Sequence, residues 1–236
     1  MSDDHCGTTM PRAKSLNILD GAPKGLIDQL FAGSDARRLA SNSVLFRAGE
    51  PGDGCYRLEQ GLVKVVIASP LGEERILTVL GPGAIVGELS MIDGLPRSAS
   101  VVAVSDCTLS FVSRGKFESF IDNYPKLAGH LVKTLSQRLR EADQALAAAT
   151  FLSVKGRVAR ALLSLAECVG EEHGSGQIML RHKLSQGDLA AMAGVARENV
   201  SRTLAEWRKS NVVTKDCPYY CIKDLDALAR EMEFET

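Results

Sequence analysis

The chain has 236 residues, 45% of them hydrophobic and 24% charged, with a net charge of −1, which suits two modest folded domains and excludes a disordered polyelectrolyte. Overall basicity cannot announce a nucleic-acid partner, because acidic and basic side chains balance at about a dozen each from Phe151 onward, and no apolar run approaches the length of a membrane span. The 6 cysteines are scattered without a CxxC pair, Cys217 and Cys221 being the closest approach, so reduced thiols are expected in place of a zinc site.

Residues 1–22 open with acids and lack an apolar segment, which reads as a disordered tail and not a signal peptide, and implies a cytoplasmic protein. A short helix is predicted over 24–31. From 36 to 113 the texture is strand-like. Short β-branched segments at 43–46, 61–67, 75–80 and 100–104 alternate with turns such as Pro51-Gly52-Asp53-Gly54 and Gly81-Pro82-Gly83. Many short strands between turn signals predict a small antiparallel barrel or jelly roll. From 116 to 149 the spacing becomes helical: Leu127, Leu131, Leu135, Leu139, Ala142, Leu146 and Ala149 form a stripe. Such a stripe predicts a seam with a second copy, and packing against the chain's own barrel is compatible with it.

A further helix is predicted over 151–168, a Gly-rich loop over 170–176 and a strand over 177–180. Ser185-Gln186-Gly187-Asp188 has the spacing of a capping box, in which a hydroxyl and a carboxylate satisfy free backbone donors at a helix start. That helix should end at Gly194, and a second should run from 197 to 210. Two short helices about a glycine turn make a helix-turn-helix. Residues 212–223 suit a two-stranded wing and 225–233 a closing helix. The fold class expected is α+β: an antiparallel β-roll over 23–115, a dimerisation helix region over 116–150, and a winged helix-turn-helix over 151–236.

Two constellations carry chemistry. The first is Gly87-Glu88-Leu89 followed by Pro96-Arg97-Ser98-Ala99. A guanidinium fork in a dry pocket suits an anionic phosphate, glycine backbone and serine hydroxyl add donors, and a carboxylate can accept from a ribose hydroxyl. A plain Arg97–Glu88 ion pair closing a turn would use the same residues. The second is Arg197-Glu198-Asn199-Val200-Ser201-Arg202 at the start of the second helix. Arg197, Glu198 and Arg202 fall within about one and a half turns, so they can face one groove. Arginine reads guanine bidentately and glutamate accepts from the cytosine amino group. An exposed Glu198–Arg202 pair is the structural alternative. Ser185, Gln186 and Thr203 are candidate phosphate contacts, with Lys183, Arg208 and Lys209 adding attraction. Trp207 reads as core.

On these residues, from about 24 to 223, the chain resembles the cyclic-AMP receptor protein family, the CRP/FNR superfamily. The resemblance implies a cyclic-nucleotide effector, cyclic AMP or cyclic GMP: Arg97 and Ser98 on its phosphate, Glu88 on the ribose, Gly87 through its backbone, with Leu89, Thr78 and Arg138 also in the pocket. It implies a homodimer that reads a palindromic TGTGA-like site on double-stranded DNA, with RNA polymerase as a further partner. Two positions depart from the family. Where cyclic-AMP-responsive relatives present a Thr-Ser pair to the purine, this chain has Ala142-Asp143, and Asp143 could accept from guanine. Ala196 stands where relatives place a hydroxyl helix cap. Cys6 stands alone near the N-terminus, against an iron–sulfur sensor, and no metal ligand set or nucleophile–base pair points to an enzyme. A signalling enzyme using the same barrel would not need the Arg197–Arg202 helix, whereas a family member with a vestigial pocket remains an alternative.

Overall fold

The computed structural model describes residues 24–124, 126–174, 176–180, 182–216 and 219–233; the expected tail, Cys6 and Cys217 lie outside them. After helix α1 (Lys24–Phe31), eight strands follow: β1 (Ala36–Leu39), β2 (Val44–Phe46), β3 (Gly54–Gln60), β4 (Val63–Ala68), β5 (Glu74–Leu80), β6 (Ile85–Val86), β7 (Ser100–Ala103) and β8 (Cys107–Ser113). Helix α2 (Leu89–Asp93) interrupts them between β6 and β7. They form two four-stranded sheets, β1-β8-β3-β6 and β2-β7-β4-β5, in which every pairing is antiparallel. This is the expected β-roll. Alternation explains it locally: along β7, Val101 and Ala103 point inward while Ser100 and Val102 stay half-buried. Leu58, Val63, Ala103 and Leu109 are fully buried between the sheets, and burying a Val or Leu stabilises by about 1.5–3 kcal/mol.

The stretch expected as one helix region from 116 is two helices, α3 (Arg114–Asn123) and α4 (Lys126–Phe151). The break falls at Tyr124, whose φ of −129° and ψ of 68° are not helical. It precedes Pro125, whose ring disfavours helical backbone in the residue before it. The apolar stripe of α4 also divides. Leu127 and Leu131 are buried against α1, α3 and β8, whereas Leu135, Leu139 and Leu146 are exposed, the last at 70%.

The remainder is α5 (Val154–Val169), β9 (Gly170–Glu172), β10 (Ile178–Leu180), α6 (Gln186–Ala193), α7 (Arg197–Lys209), β11 (Val213–Asp216), β12 (Tyr219–Ile222) and α8 (Leu225–Arg230). The loop expected over 170–176 begins instead as a strand: β9 pairs with β10, and the sheet runs β11-β12-β10-β9. Gly170 permits this, since a Cβ there would lie 2.2 Å from the Ala166 carbonyl oxygen. The core of this part contains Leu162, Leu165, Leu189, Val200 and Trp207, and it does not stop at the β-roll. Leu62, Val66, Ile76 and Val79, around β4 and β5, belong to the same buried cluster.

Candidate functional site

The turn after β6 sets the first site. Gly87 has φ of +82°, a conformation glycine adopts without strain, and a Cβ on it would stand 2.4 Å from Arg97 Nη1. The absent side chain lets Arg97 pack against the backbone. Arg97 is 4% exposed. Its Nη1 donates to the Gly87 carbonyl at 2.7 Å, its Nη2 to Asp53 Oδ1 at 2.8 Å, and its guanidinium lies 4.3 Å from the Phe46 ring centre. Glu88, also 4% exposed, accepts from Arg138 Nη1 at 2.6 Å. The alternative Arg97–Glu88 pair is therefore not formed; each residue has found a different counter-ion. Behind them the Cys55 thiol is pushed up to about 12, by burial first and the Glu88 charge second, against the opposing pull of Arg97, so it stays protonated and inert.

These groups line a cavity of about 1180 Å³ between the β-roll, α4 and α5. Gly87, Glu88, Leu89, Arg97, Ser98, Thr78, Arg138 and Ala142 all border it, so the fold brings together eight of the nine residues singled out from the sequence. Asp143 is not among them: it is exposed, and at 100° per residue it points away from the wall that Arg138 and Ala142 share. Sequence reasoning missed Asp53, Gln137 and Glu141. Gln137 Nε2 donates to Glu141 Oε1 at 3.0 Å, one turn apart on the cavity wall. Asp53 was visible only as a turn residue.

The second site is the outer face of α7. Val200, Leu204 and Trp207 are buried, while Arg197, Glu198, Ser201 and Arg202 are exposed. Among the described residues, Glu198 and Arg202 form no ion pair, so the structural alternative is not realised. α6 begins with the full capping box: Ser185 Oγ accepts from the Asp188 backbone N–H at 3.0 Å, and Asp188 Oδ2 accepts from the Ser185 N–H at 3.1 Å. Gly194 then turns the chain with φ of +64°. α7 opens on Ala196 with no side-chain cap. Ser185 is exposed and Gln186 half-buried at the α6 start, but Thr203 is 4% exposed among core residues and its hydroxyl is not presented to a DNA backbone.

Comparisons with known proteins agree with this geometry. Residues 36–124 match the cyclic nucleotide-binding domain and residues 156–231 the Crp-like helix-turn-helix domain. A CRP-like cAMP-activated global transcriptional regulator of Mycobacterium tuberculosis is 34% identical over 187 residues, 79% of this chain and 83% of that one. The cyclic AMP receptor protein of Thermus thermophilus is 38% identical over 201 residues, 85% and 89% of the two chains. A solved CRP/FNR-family regulator from Thermus thermophilus superposes with a TM-score of 0.69 at 26% identity, over 86% of this chain and all of that one. With a cyclic nucleotide-binding β-roll, a long helix and a helix-turn-helix in that order, the chain belongs to the CRP/FNR family of transcription regulators.

Proposed function

We propose that a cyclic nucleotide, held in the β-roll cavity, sets the DNA affinity of a homodimer of this chain. Arg97 carries the reading: a guanidinium 4% exposed at a cavity wall is costly unless it serves an anion. A cyclic phosphate would take the fork now shared by Gly87 and Asp53, with the Ser98 hydroxyl as a further donor. Glu88, held by Arg138, would accept from the ribose hydroxyl, and Leu89 and Thr78 would border the ring system. The two named relatives carry cyclic AMP in their descriptions. Within one subunit Glu141, rather than Asp143, is the acceptor beside Ala142 for a purine edge, and it would suit the N–H groups of guanine as well.

The exposed Val132, Leu135, Leu139 and Leu146 recur at heptad-like steps on α4, the pattern of a two-helix seam, so the second copy docks there. The dimer would set two α7 helices about one DNA turn apart on a palindromic TGTGA-like site. Arg197, Glu198 and Arg202 would read bases, and Ser185 and Gln186 would hold phosphates. Control is by binding alone, in the cytoplasm, with RNA polymerase as the downstream partner. The ligand acts only through its unequal affinity for two arrangements. Calorimetric titration with cyclic AMP and cyclic GMP tests this: one should bind the wild type, fail to bind Arg97→Gln, and raise affinity for the palindrome. Binding of neither would overturn it. The Asp53–Arg97 ion pair favours a second reading, in which an internal anion replaces the effector and neither nucleotide changes DNA affinity.

A further inference from the structure

The sensor sheet is fastened to the first helix of the helix-turn-helix by one ion pair. Lys64 Nζ, on β4, lies 2.9 Å from Asp188 Oδ1 on α6, and the two side chains are only 20% and 22% exposed. The same carboxylate closes the α6 capping box through its other oxygen, which accepts from the Ser185 N–H and, at 2.7 Å, from the Ser185 hydroxyl. Burial pushes the Asp188 carboxyl up, but hydrogen bonds from Lys64 and Ser185 outweigh it and hold the group below its ordinary range, so it stays charged.

The contact is braced on both sides. Ile76 and Val79 of β5 share a core with Leu189 and Ala190 of α6. Arg75 of β5 lies against Gly194, so closely that a Cβ there would stand 1.7 Å from its Nη1, and Arg157 Nη1 donates to the Gly194 carbonyl at 3.3 Å. The helix pair is thus held at both ends of α6 by groups outside it. In this same arrangement both Arg97 Nη atoms are committed to Gly87 and Asp53. Phosphate capture at Arg97 and the clasped arrangement compete.

We propose that Lys64 is a positioning residue for the DNA-reading helices: its ion pair with Asp188 restrains them in an arrangement that an effector must loosen. This rests on the effector reading above. Lys64 touches neither the cavity nor the outer face of α7, so its substitution spares both sites. Lys64→Met should raise nucleotide-free affinity for the palindrome by about fivefold or more, a shift at the lower end of ordinary allosteric couplings. Stimulation by nucleotide should shrink by the same factor, and Lys64→Arg should restore wild-type behaviour. Unchanged or weakened nucleotide-free binding by a Lys64→Met protein with a wild-type circular dichroism spectrum would overturn the clasp. Amide exchange on the wild type gives a second test without substitution: nucleotide should speed exchange at Asp188 and Leu189, and unaltered exchange alongside bound nucleotide counts against the proposal. A wild type stimulated by nucleotide while Lys64→Met stays inert sinks only the clasp. A wild type that binds neither nucleotide sinks the effector reading, and nucleotide-free DNA binding by Lys64→Met still decides the clasp.

Discussion

Arg97 and Arg202 are the same residue type put to opposite uses. Arg97 is buried, stacked on Phe46 and bonded on both terminal nitrogens; Arg202 is exposed on a helix face and forms no salt bridge among the described residues. The first is pre-organised, so little rotamer freedom is lost when an anion arrives, but Asp53 must be displaced or shared. The second keeps its freedom until DNA orders it and gains base contacts in return. The sensor is selective because its cation is already committed; the reader is adaptable because its cation is not.

The sharpest way to break this contrast is Arg97→Gln. Two charge-assisted hydrogen bonds to phosphate are worth about 1.5–2 kcal/mol each, so nucleotide affinity should fall by two to three orders of magnitude in a calorimetric titration. Retained affinity would mean the buried fork is structural. Arg202→Ala should cost about 1–3 kcal/mol on the matched half-site and relax discrimination there. An equal loss on every sequence, measured by fluorescence anisotropy at fixed salt, would make it a phosphate contact. Ala196→Ser sharpens the reader side: α6 has a capping box and α7 lacks a cap, so a hydroxyl there should stabilise the protein by about 1 kcal/mol in denaturant unfolding. Thr203→Val should change DNA affinity least, by under about 0.5 kcal/mol, because the hydroxyl is buried.

Legibility in the sequence followed locality. The capping box at Ser185, the αL turn at Gly194 and the exposed face of α7 are set by residues within a few positions, and the structure has them where the spacing puts them. The strands β2, β4, β5 and β7 were read from β-branched runs. β1 was not, since Arg37 and Arg38 hide its pattern, and β3 was not, since Gly54, Cys55 and Tyr56 are buried in succession and break the alternation. The helix break at Tyr124 had a local signal, Pro125, that the long apolar stripe outweighed. The site's missing members were beyond local reach. Asp53 meets Arg97 from 44 positions away and Lys64 meets Asp188 from 124, and neither carboxylate carries any mark of its partner. Asp143 was placed by analogy with the family's purine-facing pair; helix geometry turned it off the wall.

Leu62, Val66, Ile76 and Val79 lie in one cluster with the interior of the helix-turn-helix, and this bears on how the molecule melts and how it could be re-engineered. A seam of interdigitated aliphatic side chains makes the two halves a single cooperative unit, so calorimetry should record one transition where a beaded architecture gives two. Grafting this DNA reader onto a foreign sensor would require transplanting the strand surface that caps it; without that surface, the graft carries a greasy scar into water.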